Sequence, residues 1–258
     1  MSTRCFDAIL LVLTLAMVAA CGPVGTSTAI PAGTDPATDA PISPAPSLTN
    51  TPASTWEVEF AAYMESNNVF SGAVLVARDE EILWEAAFGL ADQTRDIPNQ
   101  TDTLFNLGSM NKMFTAIAIM QLVEQGQLSV DDAIVDAWPD YPNAEVAEAV
   151  TIHQLLTHTS GLGDVFTEEF AENPNQYRSN ADFLPLFMDE PLLFPPGQEF
   201  SYSNAGFVVL GQIVERVSGQ DYYDYNQHHI YDPCGMVRSG TYENDLSLPN
   251  MAIAYTTR

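Results

Sequence analysis

Basic residues are scarce in this sequence. Its 258 residues include 34 aspartates and glutamates against 8 lysines and arginines, which gives a formal net charge of −26 at pH 7. Nucleic acids and anionic lipid surfaces are bound through basic patches that displace counterions, so this composition argues against both as partners. Seven of the eight basic residues are arginines, and Lys112 is the only lysine. Its position therefore needs an explanation.

Cysteine is equally scarce. The three cysteines are Cys5, Cys21 and Cys234. We expect Cys5 to leave with an export signal and Cys21 to carry a lipid, so Cys234 alone would remain in the mature domain. This excludes an intramolecular disulfide there and a cysteine cluster for a metal.

Residues 1–20 have the features of an export signal. A short start with one arginine precedes an apolar run, Ala8 to Met17, which is too short for a comfortable transmembrane helix. The sequence "VAAC" that ends at Cys21 resembles the lipobox of bacterial lipoproteins, which implies cleavage before Cys21 and lipid attachment to its sulfur. An ordinary secretory signal or an uncleaved anchor are the alternatives. The interpretation we favour is an exported lipoprotein of the bacterial cell envelope, held at the membrane by its lipid.

Residues 21–54 are mainly Pro, Thr, Ala, Ser and Gly, with few large apolar residues. Such a segment cannot bury enough apolar surface to fold, so we predict a disordered tether. It would reach roughly 30 Å as a flexible coil and ~100 Å as polyproline II. The domain that this tether would hold off the membrane comprises residues 55–258.

The pattern of the domain is mostly helical. A helix is predicted near Thr55, followed by a hairpin whose apolar strands are 72–77 and 82–88. Further predicted helices are 109–125, 129–137, 151–157, 180–189, 204–218 and 220–230, and Gly126 and Gly219 close two of them. Strand-like sequence is scarce after Phe88. A lone two-stranded hairpin is marginal in water, so the helices would need a larger sheet to pack on. The sequence therefore predicts a chain that is short of strands for that sheet.

Lys112 lies three residues after Ser109, so both side chains would occupy one helical face. A serine hydroxyl is a weak nucleophile unless a base takes its proton, and a neutral lysine amine can do so. Residues 113–123 carry no charge and predict a helix buried on every side, where burial would favour the neutral amine. Backbone N–H groups at the helix start, after Gly108, could stabilise an oxyanion. The alternative is a capping serine beside a surface lysine.

A second motif, Tyr202-Ser203-Asn204, directly precedes a predicted helix. Tyr202 could share or relay a proton, and Asn204 could orient a substrate amide. The alternative is aromatic packing for the tyrosine and helix capping for Ser203 or Asn204.

Four stretches together resemble the serine β-lactamase and penicillin-binding-protein superfamily, in its class C and esterase-like branch. They are "GSMNKMFTA" (108–116), "LLTHTSGL" (155–162), "FPPGQEFSYSNAGF" (194–207) and "VSGQDYYDYNQHHIYDPCGM" (217–236). The resemblance implies an α/β (α+β) fold with an antiparallel sheet flanked by helices and a helical subdomain. It also implies an acylated Ser109, proton transfer by Lys112 and Tyr202, and a substrate contact by Asn204.

The third motif of that family, a K-T-G or H-x-G triplet on a later strand, does not occur before Arg258. The C-terminal strands and the final helix of the family are missing from this chain as well. We therefore expect a fragment or a truncated reading frame, in which one wall of the site is not encoded.

Other candidate sites are weaker. Ser160 follows His158 by two residues, but a nucleophile elbow would need glycine at 158. His153 and His158 do not share a helical face, and the neighbouring His228 and His229 point apart, so we predict neither a metal nor a cofactor. The tyrosines at 222, 223 and 225 are assigned to helix packing.

The sequence thus predicts a serine hydrolase that acts through an acyl-enzyme on a small-molecule or peptide substrate: an amide, a β-lactam or an ester. A penicillin-binding sensor that acylates without turnover and an inactive truncated product are the alternatives. The pattern leaves open the substrate, the choice of Lys112 or Tyr202 as main base, and the oligomeric state.

Overall fold

The computed structural model describes residues 55–67, 70–79, 81–243, 246 and 248–255. The predicted signal segment 1–20, the lipidation site Cys21 and the tether 21–54 lie outside these residues and stay predictions. Contacts divide the described residues into two units. One is Phe105–Pro249, and the other comprises the described residues up to Leu104 together with those from Asn250 onward.

The second of these units contains the predicted first helix and the predicted hairpin. Helix α1 is Thr55–Asn67, and strands β1 (Gly72–Arg78) and β2 (Glu81–Phe88) pair antiparallel, with Gly72 opposite Phe88. The α1 rings of Trp56 and Phe60 meet the β2 ring of Trp84 edge-on, at centroid distances of 5.9 and 5.5 Å. Aromatic packing therefore fastens the helix to the hairpin.

Two very short strands in the same unit were not predicted. Strands β3 (Leu90–Asp92) and β4 (Ile97–Pro98) pair antiparallel, and Leu104 bridges Met251. Strands of three and two residues are too short to show an alternating pattern. The described strands form two two-stranded sheets, in keeping with the predicted shortage of sheet.

The described secondary-structure elements of the unit Phe105–Pro249 are helices and helical turns, joined by loops and by one isolated β-bridge between Ala133 and Thr151. Its helices are α2 (Lys112–Glu124), α3 (Ile134–Ala137), α4 (Ala144–Ala149), α5 (Ile152–Leu156), α6 (Glu168–Glu172), α7 (Asn180–Phe183), α8 (Asn204–Ser218) and α9 (Tyr222–Asn226). Short 3₁₀ turns occupy Gly108–Asn111, Pro174–Gln176 and Leu184–Leu186, and a π-helical turn occupies Gln227–Tyr231.

Helix α8 lies at the centre of this unit and matches its prediction at both ends. The Ser203 hydroxyl caps its first turn by accepting from Gly206 N, and Gly219 ends it at φ 70°. Its buried face, which includes Val209, Leu210 and Ile213, packs into one hydrophobic cluster with residues of α2 and α5. This packing places the start of α8 beside the start of α2.

Several helix predictions were wrong in part. The predicted helix 109–125 begins with a 3₁₀ turn and is α-helical from Lys112 onward. Of the predicted helix 129–137, only Ile134–Ala137 is helical, because Ser129 begins a turn in which its N–H donates to Asp132. Helices α4 and α6 were missed; they have six and five residues, which gives little periodicity to detect.

Helix α2 is not buried on every side. Phe114, Ala118 and Ile119 face the cluster, but Met113 is 41% exposed and Met120 is 48% exposed. The prediction failed because an apolar side chain on a helix is not always buried against another element.

Candidate active site

Ser109 and Lys112 lie close together at the start of α2. Ser109 belongs to the 3₁₀ turn Gly108–Asn111, and Lys112 is the first α-helical residue. The Lys112 Nζ lies 3.4 Å from Ser109 Oγ, within hydrogen-bonding reach. Gly108 has φ 53°, and its N–H donates to Asn106 Oδ1 at 2.8 Å. This hydrogen bond holds the backbone just before Ser109. Ser109 is exposed and Lys112 is half-buried, so the pair is open to a substrate.

Asn204 joins this pair from the first residue of α8. Its Oδ1 accepts a hydrogen bond of 2.6 Å from Lys112 Nζ. Capping of α8 falls to Ser203, whose Oγ accepts from Gly206 N at 3.0 Å. The Asn204 side chain is therefore not used as the cap and is available to hold the lysine.

Tyr202 approaches Lys112 with its ring. The Nζ lies 4.9 Å from the centroid of the Tyr202 ring and 5.5 Å from that of Phe207, which are cation–π distances. The Tyr202 ring also stacks on His158, with the centroids 4.4 Å apart and the planes at 29°. The aromatic packing that was weighed as an alternative is thus present, and proton transfer by the Tyr202 hydroxyl stays a prediction.

His158 supports Tyr202 from a strained position. It has φ 58°, in the left-handed region that few non-glycine residues adopt. Its Nδ1 accepts a hydrogen bond of 3.1 Å from Ser203 N, which requires a lone pair on that nitrogen. Burial, and then the charge of Lys112, lower the pKa of His158 below its ordinary value, although the charge of Asp164 opposes this. The ring is therefore held neutral near pH 7.

Acid should destabilise the fold through His158. An unfolded histidine takes up its proton near pH 6.5, and the folded protein does so at lower pH because its pKa is depressed. The unfolded state then binds more protons, so the free energy of unfolding should fall as pH drops below about 6.5. Urea unfolding between pH 7.5 and 5 measures this loss.

Asparagine tolerates a positive φ, so the variant His158→Asn should keep the backbone conformation. We expect it to reduce the dependence of the free energy of unfolding on pH. The matched control His153→Asn, at an exposed position on α5, should leave it unchanged. An equal slope in the parent chain and in His158→Asn would contradict the assignment.

Asp164 was missed by sequence reasoning. Its carboxylate oxygens both lie 3.1 Å from Asn204 Nδ2, and one of them accepts from Asn204 N at 3.4 Å. The only local signal is an acidic residue two positions after Leu162, which has no spacing that marks a site. Its partner is 40 residues away in the chain.

The segment 158–164 is fastened to the segment that leads into α8. Ser201 N donates to His158 O at 2.9 Å, and Leu193 N donates to Gly161 O at 2.8 Å. Gly161 has φ 79°, and a Cβ there would lie 2.3 Å from Phe194 O, so only glycine fits. The Ser203 hydroxyl donates to Gly163 O at 2.6 Å. These contacts fix His158 and Asp164 relative to Tyr202 and Asn204.

The other candidates have structural contacts. Ser160 is 1% exposed, and its Oγ accepts from Leu162 N at 3.2 Å. Tyr225 is buried in the hydrophobic cluster, and the Tyr222 hydroxyl bonds to Thr115 Oγ1 at 2.6 Å, as expected for helix packing. His229 Nε2 bonds to Gln220 Oε1 at 3.1 Å.

Two kinds of feature are absent from the described part of the chain. His, Cys, Asp and Glu side chains nowhere form a group of three that could hold a metal ion there. Among the same residues, each helix is too short or too polar to cross a membrane.

The arrangement is suited to acyl transfer. An exposed hydroxyl lies beside an amine, and an amide oxygen holds that amine in place. Nucleophilic catalysis by serine requires such a neighbouring base, itself oriented by a third group.

Comparisons with known proteins show which family the chain resembles. A family model described as beta-lactamase matches residues 57–258. Penicillin-binding protein 4* of Bacillus subtilis (strain 168) is 39% identical over 182 residues, which cover 69% of this chain and 39% of that protein. Esterase EstB of Burkholderia gladioli is 34% identical over 197 residues, which cover 71% of this chain and 50% of that protein. The chain thus spans half or less of the length of these two relatives.

Solved structures give the same result for the fold. The crystal structure of a penicillin binding protein from Bacillus halodurans superposes with a TM-score of 0.67 at 41% identity, covering 76% of this chain and 59% of that one. The predicted β-lactamase-like fold is confirmed. The chain therefore belongs to the β-lactamase family, within the serine β-lactamase and penicillin-binding-protein superfamily that its motifs predicted.

Proposed function

We propose that this chain is a serine hydrolase of the β-lactamase or DD-peptidase type, acting through an acyl-enzyme on an amide, a β-lactam or an ester. The contact that carries the proposal is the 3.4 Å approach of Lys112 Nζ to Ser109 Oγ. Two relatives, a penicillin-binding protein and an esterase, support acyl chemistry in the family. The chain spans half or less of the length of those relatives, so its own site geometry is the main support for the proposal.

In the first step, Ser109 Oγ attacks the substrate carbonyl while its proton passes to a base. Lys112 Nζ in its neutral form can take that proton directly, and the Tyr202 hydroxyl is the alternative. Collapse of the tetrahedral intermediate breaks the carbonyl bond to nitrogen or oxygen, and the leaving group receives the proton. A water molecule then attacks the ester on Ser109 and releases the acid, which restores the hydroxyl.

Asn204 contributes by holding the amine. Its Oδ1 accepts a hydrogen bond of 2.6 Å from Lys112 Nζ, which holds that nitrogen near Ser109. The aromatic rings of Tyr202 and Phe207 cover the same nitrogen. The predicted contact of Asn204 with a substrate amide is part of this proposal.

A time course with a fluorescent penicillin tests the proposed function. We expect covalent labelling of the chain that then decays, with release of the hydrolysed product, because water completes the cycle. Parallel assays with a chromogenic cephalosporin, a D-alanyl-D-alanine peptide and a nitrophenyl ester identify the substrate class. A label that persists would indicate a penicillin-binding sensor instead. The absence of both penicillin labelling and hydrolysis of the other acyl donors would contradict the proposal.

A further inference from the structure

The side chain of Asn204 has two unlike ends, and each has a charged or chargeable partner. Its oxygen faces the Lys112 amine at 2.6 Å. Its nitrogen faces the Asp164 carboxylate, at 3.1 Å from each oxygen. A series of polar contacts thus connects Asp164 through Asn204 and Lys112 to the proposed nucleophile Ser109.

The carboxylate determines which way the amide points. A carboxylate only accepts hydrogen bonds, so the amide must offer it the NH₂ end. The opposite orientation would set the amide oxygen against Asp164 and the NH₂ group against the Lys112 amine, which gives two repulsive contacts when both groups are charged. With Asp164 present, Asn204 therefore presents an acceptor to Lys112.

Asp164 is itself fixed by the backbone. Its Oδ1 accepts from Val165 N at 2.7 Å and from Phe166 N at 3.4 Å, and its Oδ2 accepts from Asn204 N at 3.4 Å. The side chain is half-buried, so water competes weakly for these donors. A carboxylate with this many donors has one preferred rotamer, which gives Asn204 a rigid partner.

We propose that Asp164 is a positioning residue of this site, which acts through Asn204 to hold the Lys112 amine beside Ser109. The proposal rests on the function proposed above. Loss of the carboxylate should let the Asn204 amide rotate, which removes the acceptor from Lys112. The acylation rate constant should then fall roughly tenfold to a hundredfold, the size of one hydrogen bond to a charged group.

A double-mutant cycle tests the proposal. Acylation of the full chain by fluorescent penicillin is measured for the parent, Asp164→Ala, Asn204→Ala and the double variant. If Asp164 acts through Asn204, the double variant should acylate no more slowly than Asn204→Ala alone. A purely structural role in the loop would instead make the two losses multiply.

The matched control is Asp182→Ala. Asp182 lies on α7, and its carboxylate likewise accepts two backbone hydrogen bonds, from Arg178 N at 2.9 Å and Ser179 N at 2.8 Å. Its loss should leave acylation unchanged. Asp164→Asn serves as a second variant that keeps the size of the side chain and one acceptor oxygen, in case Asp164→Ala does not fold.

The outcomes separate this proposal from the function on which it rests. A parent chain that acylates, with a slowed Asp164→Ala variant and a double variant as slow as Asn204→Ala, supports both. A parent chain that acylates, with Asp164→Ala at the parental rate, overturns the positioning role alone. A parent chain that acylates, with losses that multiply in the double variant, overturns the positioning role alone. Failure of the parent to acylate overturns the proposed function and the positioning role together.

Discussion

Replacement of Ser109 by alanine should abolish covalent labelling by penicillin. The hydroxyl supplies the atom that bonds to the substrate carbonyl, and no other described side chain takes its place beside Lys112 Nζ. Loss of a serine nucleophile in an acyl-transfer site lowers the rate by roughly four orders of magnitude or more. The acylation rate constant, measured with fluorescent penicillin, should therefore fall to the background of the unfolded chain.

Ser160→Ala is the control for this result, because Ser160 is the other serine that the sequence offered as a nucleophile. It is 1% exposed, and its Oγ is engaged by Leu162 N. We expect Ser160→Ala to lose some stability, about 1 kcal/mol for a buried hydrogen bond, and to keep its labelling. Labelling that survives in Ser109→Ala and vanishes in Ser160→Ala would reverse the assignment.

The second large effect is expected from Lys112. Lys112→Ala should slow acylation by roughly 10²- to 10⁴-fold, the usual contribution of a general base. Lys112→Arg separates the base from its charge, since a guanidinium stays protonated and cannot accept the serine proton. We therefore expect Lys112→Arg to be as slow as Lys112→Ala in the same labelling assay.

Arg216→Ala controls for the loss of one positive charge from so acidic a chain. Arg216 bonds to Asp140 at 3.2 Å and lies over the Trp138 ring, so it occupies a separate surface of α8. Its variant should acylate at the parental rate. If Lys112→Arg acylated as fast as the parent, Lys112 would act through its charge and the base would be Tyr202 or another group.

Local signals predicted the elements with strong ends or strong periodicity. Helix α8 was predicted at both ends because a capping serine precedes it and Gly219 follows it. The β1–β2 hairpin was predicted because two apolar runs flank a charged turn. Helix α2 was placed correctly after its first turn, which is a 3₁₀ turn of the kind that often begins an α-helix.

In the candidate site, contacts between residues near in sequence were predicted more readily than contacts between distant ones. Ser109 and Lys112 are three residues apart, so their contact follows from local geometry. Asn204 was found through the motif that contains it, although its partner Lys112 is 92 residues away. Asp164 and the supporting role of His158 were not predicted, because their contacts with Asn204 and Ser203 cross 40 and 45 residues without any fixed spacing. Contacts of that kind depend on how the loop folds back on the start of α8.

The most direct test of this account is the position of the covalent adduct. Trypsin cleaves after Arg95 and after Lys112, so it releases the peptide 96–112, in which Ser109 is the only serine. After brief treatment of the full chain with penicillin, mass spectrometry should find the adduct mass on this peptide and its fragments should place it on Ser109. An adduct on the following peptide, 113–178, which contains Ser160, or on any other peptide, would contradict the central claim that Ser109 is the nucleophile.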